Sequence, residues 1–198
     1  TPGSIRIRYL QGLALVVESR IDQAAKTLEQ EEPGKGESSD ESDQARGAVD
    51  YDAAIISKLH AAASVFASLE STDPGRTEAE LQLAYCFFTL GIAYRLQGRI
   101  DLATPMMEQN YALSLRQYAA QPGAVDRLIT LMETRFELLR LEIKFSGGDL
   151  SMARSELLDM VSVLSGLESS VAYDCYRPRI DGLRQICLQA IKVIGPSP

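Results

Sequence analysis

Apolar residues in this chain recur at steps of three and four along most of its length. Between positions 53 and 69 they fall at Ala53, Ile56, Leu59, Ala63, Phe66 and Leu69, one face of a helix that stops at Asp73-Pro74-Gly75. Thr77, with Glu80 three residues on, predicts a capping box opening a second helix through Leu81, Ala84, Phe88, Gly91 and Leu96 to Gly98. Its partner is predicted at 100–120, with Pro105 in the first turn or two, where a missing N–H costs least. Further helices are predicted from Pro122-Gly123 to Phe145, from 150 to 167 after a turn at Gly147-Gly148, and from 180 to 194 after a break at Pro178. Residues 5–31 read as a hairpin, 5–17 and 21–30, reversing near Ser19-Arg20. Val, Ile and Thr do not alternate, so the prediction is all-α, with seven or eight helices.

One stretch occurs twice. Gly12, Ala14, Arg20, Ile21, Asp22, Ala24, Glu29 and Gln30 reappear as Gly91, Ala93, Arg99, Ile100, Asp101, Ala103, Glu108 and Gln109, eight identities in 21 aligned positions at a constant offset of 79. A self-similar unit with small residues at fixed places predicts stacked helical hairpins, each burying its apolar face on a neighbour. Gly91 is expected to let the following helix approach closely at Ala103, Tyr94 to fill the space beside them, and Gly98 to supply the positive φ that ends a helix.

The spacing of Phe87, Leu90, Gly91, Tyr94, Gly98, Ile100, Ala103 and Met107 resembles the tetratricopeptide repeat (TPR). The tail Asn110 to Tyr118 is similar to the extended repeats of kinesin light chain and the LGN/Pins proteins. The N-terminal copy departs from the pattern at Leu15 and Ser19. A third unit over 135–165 keeps Gly148, Leu150 and Ala153 but has Leu141 at the first small position. The resemblance implies a TPR-like α-solenoid of about seven to eight antiparallel helices, a single helical-repeat domain over 5–195. It also implies a concave face lined by the first helix of each hairpin. On this chain those positions are Tyr85, Phe88, Ile92 and Arg95, with Arg6, Tyr9, Leu13 and Val16 in the first unit and Arg135, Leu138, Glu142 and Phe145 in the third. The Lys and Asn residues of the carboxylate-gripping TPR groove are missing there. The implied ligand is an apolar peptide or amphipathic helix, with Arg95 and Arg135 as charged anchors; the competing reading places the same residues in the core.

Charge changes the picture in one place. Residues 29–50 hold eight carboxylates against Lys35 and Arg46, a net of −6, whereas the whole chain carries −7, so the other residues total −1. The segment 32–48 is expected to be a disordered acidic loop, with Ser38 (Glu41 at +3) as a phosphorylation candidate. Outside it Arg is plentiful, which keeps a nucleic-acid-binding helical repeat open as the alternative. Arg95, Arg99, Arg116 and Arg127 are its candidates, although Asp101, Glu108 and Asp126 interleave with them.

Chemistry finds little support. His60 is the sole histidine, and Pro33-Gly34-Lys35-Gly36 lacks the spacing of a phosphate loop. Glu133, Glu137 and Glu142 read as solvated. No enzyme, cofactor or metal is expected. Cys86, Cys175 and Cys187 stand apart in what read as apolar helices, and neither a disulfide framework nor a zinc site is expected, which fits an intracellular setting. No run of 18 apolar residues predicts a membrane span. Thr1-Pro2-Gly3-Ser4 has no initiator Met, so the chain is expected to be a piece of a larger protein. These features point to a protein–protein adaptor.

Overall fold

The computed structural model describes residues 2–31, 53–69, 76–145, 150–170 and 173–195. The acidic segment 32–48 with Ser38, and the Gly147-Gly148 turn, lie outside the described residues. Those described form seven α-helices and no strand: α1 (Pro2–Glu31), α2 (Ala53–Ala67), α3 (Arg76–Leu96), α4 (Ile100–Ala120), α5 (Val125–Phe145), α6 (Ser151–Gly166) and α7 (Tyr173–Ile194), with a 3₁₀ turn over Leu167–Ser169. The chain divides into two compact units, Thr1–Met106 and Met107–Pro198, each described by itself.

The duplicated segment folds in two ways. Its second copy turns at Gly98, whose φ of 74° is open to glycine at no steric cost. The backbone N–H groups of Gly98 and Arg99 close that turn on the carbonyls of Arg95 and Tyr94. Its first copy does not turn. α1 runs unbroken for 30 residues, and the reversal expected at Ser19-Arg20 is absent. The reason is local: with Ser in place of Gly the left-handed turn is costly. Ser19 instead stays helical, fully buried, and its Oγ donates to the Val16 carbonyl at 2.8 Å.

In the N-terminal unit α2 lies antiparallel to both α1 and α3. The Lys58 ammonium of α2 reaches Asp22 (2.7 Å) and Glu18 (3.6 Å) near the far end of α1, while Phe66 meets Tyr9 near its start at a ring separation of 5.9 Å. Toward α3, His60 Nε2 and Tyr94 Oη are 2.7 Å apart, and Arg76 donates back to the Leu69 carbonyl. α2 turns Ile55, Leu59, Ala62, Ala63 and Phe66 inward, with Ile55 rather than Ile56 on the buried face. The helix α3 begins at Arg76, so Thr77 is inside it and does not cap it. Arg76 pairs instead with Glu80 at 3.0 Å, one turn on.

Gly12 is the close approach of α1 to α2. A Cβ built there would lie 2.8 Å from Cε1 and Cζ of Phe66, a ring only 1% exposed. The repeated glycine therefore faces Phe66 of α2. Alanine would regain about 1 kcal/mol in helix propensity, so a branched side chain gives the cleaner test. Gly12→Val is expected to destabilise the protein by about 1–3 kcal/mol through overpacking. Denaturant unfolding with an unchanged midpoint would rule out the tight α1–α2 contact.

In the C-terminal unit α5, α6 and α7 share a core built from Ile129, Met132, Phe136 and Leu139 of α5, Ala153, Leu157, Met160 and Leu164 of α6, and Ile180, Leu183 and Cys187 of α7. α7 starts at Tyr173, seven residues before the expected position, and passes through Pro178. Pro178 is the sixth residue of the helix, so the cost is confined to its opening turns. Those turns are held by Arg177–Asp174 (2.6 Å), Tyr173 Oη donating to Asp181 (3.0 Å), and Tyr173 and Tyr176 packed against the core. Asn110 of α4 donates to Thr134 of α5 at 3.1 Å, with both residues at most 2% exposed.

Candidate functional site

Tyr85, Phe88 and Ile92 occupy one face of α3 at i, i+3 and i+7, and each is half-buried. Each therefore keeps some ring or methyl surface open to solvent. Tyr85 carries the Arg20 guanidinium of α1 over its ring, 4.3 Å from the centroid. Tyr9 sits at the other end of the same pair of helices. Burial first, and then the Glu78 carboxylate that accepts its hydrogen bond, raise its phenol above the usual 10.0. The N-terminal unit thus brings Tyr9 and Tyr85 to the α1–α3 side, through Glu78 and Arg20 respectively. Arg95, in the last turn of α3, is half-buried and engaged within the protein.

The remaining predicted residues belong to the C-terminal unit and are already committed to one another. Arg135 pairs with Glu142 (3.0 Å) and with Glu156 of α6 (2.6 Å), and lies over the Tyr111 ring at 6.0 Å. Burial alone would lower its pKa, but Glu156 and Glu142 more than compensate and hold it up. Arg135 is therefore a tie between α5 and α6. The columns implied by the repeat are not uniformly open either: Val16 is 1% exposed and Leu138 6%.

The other acidic residues expected to be solvated are also taken. Glu133 receives both sides of the Arg179 fork (2.6 and 3.1 Å), joining α5 to α7. Glu137 is 9% exposed and accepts from Arg140 at 2.9 Å. Spacing along one helix could not show this, because the partner of Glu133 is 46 residues away. Cys86 and Cys187 are buried, which pushes their thiols up to about 12 and about 11, and they are unreactive near neutrality. Cys175 is exposed, contrary to the apolar setting expected for it.

Arg20, in a column that the duplication shares with Arg99, joins this face through Tyr85 and is absent from the positions that the TPR resemblance implies. Its counterpart Arg99 makes the same kind of contact, 5.5 Å over the Tyr94 ring. An arginine held in the same column of both copies, each on a tyrosine of α3, was the available signal. Among the described residues no three His, Cys, Asp or Glu side chains converge as a metal site would require, and no helix is long and apolar enough to cross a membrane. No protein-family model, curated protein or solved structure matches the chain.

Proposed function

We propose that this chain is a non-catalytic, intracellular protein-binding module, a TPR-like α-solenoid that holds an apolar peptide or amphipathic helix of a partner on the Tyr85–Phe88–Ile92 face of α3. The observation that carries this reading is that face: two aromatic rings and an aliphatic side chain at helical spacing, all incompletely buried. Aromatic residues at such places are the usual binding hot spots, because they bury large area at little conformational cost. The solenoid rests on the duplicated segment and on the antiparallel order α1, α2, α3 within the N-terminal unit. The arginine-rich alternative is weakened because three of its four candidates are engaged: Arg127 pairs with Asp126, Arg99 rests on the Tyr94 ring, and Arg95 has a partner within the protein.

The test measures melting and partner affinity on the same variants, using a partner captured with the intact chain. Phe88→Ala and Tyr85→Ala are each expected to cost about 2 kcal/mol of binding, roughly 30-fold in Kd. Being incompletely buried, Phe88 should cost less folding stability than the about 3–5 kcal/mol of a buried Phe→Ala. Loss of the fold with no separable loss of binding would return these residues to the core.

A further inference from the structure

α1 is apolar on two opposite sides. Gly12, Val16 and Ser19 are buried, while Ile7 (59%), Leu10 (52%), Val17 (47%) and Ile21 (61%) are exposed on the other side, with Ala14 among them. The steps between these five exposed residues are three, four, three and four. That is a heptad pattern, the one an α-helix presents to another helix in left-handed packing, and an extended strand would not match it.

The internal duplication says what kind of element such a face accepts. In the second copy the columns of Ile7, Leu10 and Ala14 are Cys86, Thr89 and Ala93, which are 0%, 6% and 0% exposed, on a helix that packs against α2. The same columns are covered in one copy and bare in the other.

Charge narrows the choice. Arg20 borders the stripe beside Val17 and Ile21; it rests on Tyr85, and no carboxylate among the described residues pairs with it. Glu18, on the opposite border, shares the Lys58 ammonium with Asp22, which lies nearer to it (2.7 Å against 3.6 Å). On the Arg20 side the charge left to be matched is positive.

A second copy of the chain does not match it. Run antiparallel, its own α1 sets Leu13 or Arg20 along this border; run parallel in register, its Glu18 falls opposite Leu13.

We propose that the outward stripe of α1, Ile7–Leu10–Ala14–Val17–Ile21, docks an amphipathic helix of a partner protein whose apolar a and d residues fill the stripe and whose carboxylate meets Arg20. This surface adjoins the α3 face at Arg20, which rests on Tyr85, but its apolar stripe contains none of Tyr85, Phe88 and Ile92, and either can fail alone.

The probe is a designed 21-residue helical peptide with Leu and Ile at a and d and Glu along the flank that faces Arg20, titrated onto the full chain. A twin with Lys along that flank serves as the comparison. Micromolar binding of the Glu peptide is expected, at least about tenfold weaker for the Lys twin and for Leu10→Lys/Val17→Lys, whose melting should match the parent because both sites are exposed. Arg20→Glu should reverse the preference between the two peptides. No binding, equal binding of the twins, or affinity untouched by Leu10→Lys/Val17→Lys would overturn the proposal. Sedimentation showing that the parent dimerises through this stripe would overturn it too, by making a second copy the occupant. Phe88→Ala should leave the peptide affinity unchanged, which separates this surface from the α3 face.

Discussion

Ser19→Pro is expected to remove about 3 kcal/mol or more from the stability of the N-terminal unit. At position 19 a proline deletes the N–H that belongs to the ladder of a 30-residue helix, and its ring presses on the carbonyl four residues back. Ser19 is also fully buried, so the helix has no room to bend away from α2 at low cost. Ser19→Ala provides the scale. It loses the 2.8 Å bond from Oγ to the Val16 carbonyl and should cost no more than about 1 kcal/mol. A third substitution separates the two shapes open to this segment: Ser19→Gly should cost about 0.5–1 kcal/mol inside an unbroken helix, whereas a reversal with the positive φ of Gly98 would be stabilised by it, and a raised unfolding midpoint for Ser19→Gly would restore the hairpin.

Phe66→Ala should be at least as damaging, at about 3–5 kcal/mol. Phe66 is 1% exposed, and its ring lies over Gly12 and beside Tyr9. Truncating it empties space that the surrounding backbone cannot close, because α1 already approaches as near as a glycine allows. Tyr9→Phe keeps the ring pair and removes only the hydrogen bond to Glu78, so it should cost far less. Urea unfolding of the three proteins side by side decides the matter. A loss from Phe66→Ala no greater than that from Tyr9→Phe would show that this ring is not a keystone of the α1–α2 contact.

What could be read from the chain follows from the range of each signal. Gly98 was legible as a turn because one residue type takes positive φ freely, and no distant information is needed. The buried side of α2 was legible to within one residue for the same reason: helical period is local. Gly12 was legible as a close approach, but its partner Phe66 lies 54 residues away, beyond a segment with no helical pattern. Ser19 misled through the duplication itself, since the column that holds Gly98 in one copy was read as a turn in both. The opening turns of α7 were hidden because a proline stands in them. They depend on Tyr173–Asp181 and Arg177–Asp174 contacts that apolar periodicity does not register. At the α3 face, sequence placed Tyr85, Phe88 and Ile92 on a common side. It could not tell that Arg135 and Glu142 are joined to each other, since the third member of that cluster, Glu156, belongs to a different helix.

The unbroken α1 has a consequence for how repeats in such a chain are counted. Thirty helical residues make a rod of about 45 Å, whereas the related segment around Gly98 folds back on itself within four residues. The two share eight of 21 aligned positions, yet one continues straight through Ser19 where the other turns at Gly98. Counting repeats by similarity would therefore miscount hairpins.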